Sequence, residues 1–155
     1  MPRHPKKPRR LVADGRAYLW TLRHRHRVLG GGRSAQCRET LTLYPQPAGT
    51  GGALRIVFTE DSDRYVPGGF PLGSGDVGHV HGGSLNLHEP GAVRALLDAA
   101  SAAGWQPGER RPVEIDGWSL VKAASAARSG DAGAAPVGRV SATRSSDSPL
   151  PTPAP

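Results

Sequence analysis

The chain has a single cysteine, Cys37, among 155 residues, so no internal disulfide is possible and the fold must rest on its apolar core. One cysteine also fits a reducing compartment. Aromatic residues make up 5% of the chain, as three Trp, three Tyr and two Phe, too few outside a core to furnish a base-stacking platform. No apolar run approaches the ~20 residues that a membrane-crossing helix needs. The basic start Met1-Pro2-Arg3-His4-Pro5 is not followed by the apolar stretch of a secretory leader. The chain therefore reads as cytoplasmic, with no membrane partner. It also lacks the glycine-lysine phosphate loop and the Gly-x-Ser-x-Gly elbow, and Gly68-Gly69 and Gly82-Gly83 are not set between a strand and a helix as a dinucleotide site requires.

Acidic residues are scarce at the start of the chain. Residues 1–38 hold eleven Lys/Arg against one acid, Asp14, whereas residues 39–155 hold nine Lys/Arg against twelve acids, for a net charge of +7 overall. Such an asymmetry suits an acidic protein surface or a nucleic-acid backbone as partner. Residues 1–8 are too rich in proline and basic side chains to pack. Residues 128–155 are almost entirely small, polar or proline residues without apolar periodicity, and cannot offset their ordering entropy. The expected organisation is a basic disordered arm over 1–8, one domain over 9–127, and a disordered tail over 128–155.

Within the domain, Asp14-Gly15 lies between Arg9–Ala13 and Arg16–Leu22, and Asp-Gly accommodates the positive φ angles of a two-residue hairpin turn. The turn places Ala13 opposite Arg16 and Leu11 opposite Tyr18. Leu11, Tyr18, Trp20 and Leu22 then share one sheet face, and Val12, Leu19, Thr21 and Arg23 the other. Further strands are expected at Cys37–Tyr44, Leu54–Phe58, Ser84–Leu87 and Val113–Ile115, with a long glycine-rich loop from Val66 to Gly83. The main helix is expected from Pro90 to Ala103. Pro90 suits its first position, Val93, Leu96, Leu97 and Ala100 form an apolar stripe, and Gly104 is a natural stop. Trp118–Ala127 reads as a weak final helix. The fold class is α+β: an antiparallel β-meander of four to six strands with one main α-helix packed on one face.

The hairpin Asp14-Gly15-Arg16-Ala17-Tyr18-Leu19-Trp20, the strand Leu54–Phe58, and Leu87-His88-Glu89-Pro90 with Gly104-Trp105-Gln106-Pro107-Gly108 resemble a group of short bacterial proteins, mostly actinobacterial, that carry no assigned function. The resemblance covers about residues 9–122. Relatives more often have Thr or Ser where this chain has Glu89, a difference confined to helix capping. The resemblance implies the fold and no activity.

Two places in the fold carry chemistry. Matching the apolar faces pairs Trp20 with Leu43 and Leu22 with Leu41, which sets His24 beside Glu39 and His26 beside Cys37. Pairing Leu43 with Ile56 and Leu41 with Phe58 brings Glu60 beside Glu39. Imidazole, thiolate and carboxylates at cross-strand spacing suit a divalent metal such as zinc, so His24, His26, Cys37, Glu39 and Glu60 form a candidate metal set, with Asp76, His79 and His81 on a loop that closes over it. A register slip of one residue would send Cys37 and Glu39 to the opposite face. The outer face carries Arg23, Arg25, Arg38, Thr40, Thr42 and Arg55. The leading expectation is a non-catalytic binding or adaptor module contacting its partner through Arg23, Arg25, Arg38 and Arg55. The alternative is a small zinc-type hydrolytic enzyme.

Overall fold

The computed structural model of the protein describes residues 7–31, 34–66 and 75–132. Arg9–Ala13 (β1) and Arg16–Val28 (β2) form the expected hairpin, with Ala13 opposite Arg16 and Leu11 opposite Tyr18. Asp14 and Gly15 have φ of 51° and 75°, the left-handed pair that a type I′ turn demands. Ser34–Gln46 (β3) returns antiparallel along β2, and Leu54–Thr59 (β4) along β3. Arg64–Tyr65 (β5), Asp76–His79 (β6) and Ser84–Asn86 (β7) form a separate three-stranded sheet. Helix Pro90–Ala102 (α1) follows, then strand Val113–Asp116 (β8) and helix Trp118–Ala132 (α2).

The main sheet has the order β1-β2-β3-β4-β8, and the architecture is α+β as expected. The strand expected at Ser84–Leu87 is not part of the meander: β7 pairs with β6 in the separate small sheet. Three further features depart from the sequence reading. First, β8 joins parallel to β4, because α1 intervenes and carries the chain back to the starting end of the sheet. Second, the glycine-rich stretch from Val66 to Gly83 is not wholly irregular: β6 lies within it, although residues 67–74 are outside the described ones. Third, α2 continues past Ala127 to Ala132. Arg128 on α2 is ion-paired with Glu89 at the start of α1, so the chain there still has tertiary partners. The helix expected to end at Ala127 thus runs five residues farther. Residues 133–155 of the expected tail, and residues 1–6 of the basic arm, lie outside the described residues.

The helix α1 begins at Pro90 without a side-chain cap, since Glu89 is engaged by Arg128. It ends in a Schellman arrangement. Gly104, at φ 104°, donates to the Ser101 carbonyl, and Trp105 donates to that of Ala100. This turn delivers Trp105 into the core beside Tyr18, with ring centroids 6.5 Å apart. The core lies between the inner sheet face (Leu11, Tyr18, Trp20, Leu41, Leu43, Leu54, Ile56 and Phe58) and the buried sides of both helices. α2 contributes Trp118, Leu120, Val121 and Ala124.

The junction between β8 and α2 is tight. The Gly117 N–H donates to Val57 at 2.7 Å, and Asp116 accepts from the Trp118 N–H through its carboxylate. A side chain at Gly117 would run into the ring of Phe58, which is itself fully buried. Gly117→Ala is therefore expected to lower stability by about 1–3 kcal/mol through overpacking, measurable as a shifted urea midpoint at unchanged slope.

Candidate functional site

The alternation of side chains along β2, β3 and β4 sorts the polar residues between two places. On the outer face, Arg25 stands opposite Arg38, Arg23 opposite Thr40, and Thr42 opposite Arg55. Together with Tyr44 and Glu114 these residues line a shallow groove of about 330 Å³. The four arginines expected to share a face do share it. Tyr44 and Glu114 complete the lining. The position of Tyr44 was implicit in the alternation with Leu43, whereas Glu114 reaches the groove only because β8 pairs with β4.

Charge in the groove is unbalanced. Arg38 bonds Glu114 at 3.1 Å, with both side chains about half exposed. An ion pair in that setting contributes little and yields readily to a competing anion. Arg23, Arg25 and Arg55 form no ion pair among the described residues. No helix of the described residues packs over this face, since the buried residues of α1 and α2 belong to the core on the inner side.

The second place is the polar end of the inner face. His24 stands opposite Glu39 as expected, and its Nδ1 lies 2.6 Å from Oε1 of Glu39, the carboxylate accepting. Glu39 is 2% exposed, so it is a carboxylate held within the core. The other expected pairings change. A bulge between Arg25 and Arg27 breaks the register, leaving His26 opposite both Gln36 and Cys37, with Gln36 at φ 55°. His26 is exposed, with its ring centroid 5.4 Å from that of His24.

The expected β3–β4 register is corrected by two residues. Leu43 pairs with Leu54, Leu41 with Ile56 and Glu39 with Phe58. A two-residue slip keeps every side chain on its face, so apolar matching alone does not distinguish the two registers. At the start of β4, Gly52 packs on the backbone of Arg111 and Pro112, and Ala53 accepts from the Val113 N–H, tying β4 to β8. Glu60 consequently sits beside Cys37 rather than Glu39. Its N–H donates to the Cys37 carbonyl at 2.9 Å, and its Oε2 accepts from the Cys37 N–H at 3.1 Å.

The loop residues expected to close over this end lie elsewhere. Asp76 and His79 are the two ends of β6. The His79 ring packs on Trp118 at 5.2 Å, Phe58 meets Trp118 edge-on at 5.4 Å, and the Arg64 guanidinium lies 5.6 Å from its centroid. His79 thus belongs to an aromatic cluster at the foot of α2, and His81 is exposed in the following turn. Among the described residues no three His, Cys, Asp or Glu side chains are grouped so as to hold a metal ion. No helix among them is long and apolar enough to cross a membrane.

The Cys37 thiol is buried, and burial followed by the nearby Glu60 and Glu39 carboxylates pushes its pKa up from the usual thiol value. Raising that pKa keeps the sulfur protonated at neutral pH, the opposite of what a zinc thiolate or a nucleophile needs. Two predictions follow from this end of the sheet. In the folded protein Cys37 should react with iodoacetamide far more slowly at pH 8 than after unfolding, and the rate should climb only at more alkaline pH. Replacing His24 alone with Ala leaves buried Glu39 without its imidazole and should cost about 2–4 kcal/mol, whereas the paired change His24→Leu with Glu39→Leu should recover most of that loss in a urea-unfolding cycle.

Compared with known proteins, the chain matches no family model, no curated protein and no solved structure.

Proposed function

We propose that the protein is a small non-catalytic binding module that holds an anionic macromolecular partner, an acidic protein surface or a nucleic-acid backbone, on its basic sheet face. The observation that carries this reading is the outer groove, where Arg23, Arg25, Arg38 and Arg55 converge with a single carboxylate among them. A sheet face that is polar and basic, with no helix of the described residues over it, is stable as it stands. Its arginines nonetheless lie close enough to repel one another, as Arg25 and Arg38 do across the strands. An anion spanning them relieves that repulsion and releases its own counterions.

The hydrolytic alternative finds less support. It would need His24, His26, Cys37, Glu39 and Glu60 to act together, but Glu39 is engaged by His24, Glu60 by the backbone of Cys37, whose thiol is kept protonated, and His26 is exposed.

The test is charge reversal on the face. The triple variant Arg23→Glu, Arg25→Glu and Arg55→Glu should elute from a heparin column at clearly lower salt than the parent protein. Its affinity for polyanions should fall about tenfold or more at ~0.1 M salt, with a shallower salt dependence. Unchanged elution, with the fold intact by circular dichroism, overturns the reading.

A further inference from the structure

The outer groove is graded along β3. Its side chains on that strand are, in order, Tyr44, Thr42, Thr40 and Arg38, alternate residues that span about 20 Å at ~3.4 Å per residue. At one end the Tyr44 ring is 44% exposed, with Leu19 opposite it on β2. The middle is a floor of two threonines, flanked by Arg23 opposite Thr40 and Arg55 opposite Thr42. The far end carries Arg25 and Arg38 side by side. Aromatic surface, hydroxyls and cations thus follow one another in a single direction.

Glu114 is the one acidic residue in the lining. It stands level with Thr42, because Thr42 pairs with Arg55 and Arg55 with Glu114. Its bond to Arg38, whose backbone lies farther along β3, draws that guanidinium back over the groove. A carboxylate at this level repels a ligand that is anionic throughout. It accepts hydrogen bonds from one that carries hydroxyl groups there and its charge beyond.

We propose that the groove binds a nucleoside polyphosphate, an inference that rests on the basic-face reading above for its anion and names a small ligand for the same groove. The base stacks on Tyr44, the ribose hydroxyls meet Glu114 and Thr42, and the phosphates lie among Arg23, Arg25 and Arg38. The volume of about 330 Å³ falls within the ~300–1,000 Å³ of small-molecule sites. Arginine forks match phosphate oxygens bidentately, so side chains alone hold the charged end. One exposed ring is enough for one base, whereas a single strand of nucleic acid is gripped by stacking successive bases on several. An acidic peptide or a DNA backbone leaves the Tyr44 ring unused and meets Glu114 as a repelling charge.

The experiment is isothermal titration of the full chain at ~0.1 M salt with adenosine triphosphate, adenosine monophosphate, tripolyphosphate and heparin. The nucleoside triphosphate should bind about tenfold tighter than tripolyphosphate, the effect of one stacked base, and about tenfold tighter than the monophosphate, which offers the arginines less charge. Tyr44→Ala should abolish the advantage over tripolyphosphate and leave tripolyphosphate and heparin binding unchanged, whereas Tyr44→Phe should keep that advantage. Arg23→Glu combined with Arg25→Glu should weaken all four ligands, by about tenfold for the triphosphate. Thermal melts establish that the variants fold. If the triphosphate binds no tighter than tripolyphosphate or the monophosphate, or if its advantage survives Tyr44→Ala, the nucleotide proposal falls. The basic-face reading then stands if the arginine variant still loses heparin affinity. No measurable affinity for any of the four removes both.

Discussion

Everything in this molecule depends on the strict alternation of side chains along two long paired strands. Once Asp14-Gly15 sets the phase of β2, each residue from Arg16 onward is committed to one side or the other, and pairing commits β3 and β4 in turn. Two helices then cover one side. Burying Trp20, Leu41, Leu43, Ile56 and Phe58 beneath them makes that phase costly to change, because a shift by one residue would drive arginines into the core. The basic face is thus a by-product of the same constraint that builds the core. Its arginines are held in place by what lies behind them.

The parts of this arrangement legible from sequence are those fixed by local rules. The first hairpin, its register and the helix from Pro90 to its glycine stop follow from turn and cap chemistry acting over a few residues. The pairing of His24 with Glu39 also follows, since β2 and β3 align through their apolar residues up to Arg25. What was not legible depends on distant segments. β4 is tied to Arg111–Val113, more than fifty residues onward, and its register against β3, which apolar matching leaves open by two residues, moves Glu60 from Glu39 to Cys37. The bulge opposite His26 leaves no mark in composition, because Gln36 is an unexpected residue for a left-handed conformation. The end of α2 is not legible either, because its Ala- and Ser-rich face looks too weak to fold alone. The pairing of Arg128 with Glu89 ties it to α1.

The polar end of the inner face shows how chemistry-bearing residue types become structural. A carboxylate as buried as Glu39 is costly unless something answers its charge, and His24 does so from the neighbouring strand. Glu60 spends one oxygen on the backbone of Cys37, where β4 leaves the ladder. Trp118 is enclosed by Phe58, His79 and Arg64, and its indole N–H is bonded to Thr59. His24, Glu39, Glu60 and His79, which look reactive in the sequence, have their reach taken up by neighbours, whereas His26 and His81 stay exposed. Among the described residues the arginines on the opposite face form no ion pair apart from the exposed contact of Arg38 with Glu114.

The parallel strand β8 also bears on the order in which the molecule is assembled. The hairpin and the first meander strands join segments close in the chain, whose loops close at small entropic cost. β4 gains its second neighbour only when residues 113–116 arrive, after α1 has formed the crossover. During synthesis β4 is an edge, with an unpaired row of backbone groups along Leu54–Val57. The sheet is therefore finished from its far side by a segment made more than fifty residues after β4. Without residues 113–116, β4 would keep an edge open to pairing with another chain.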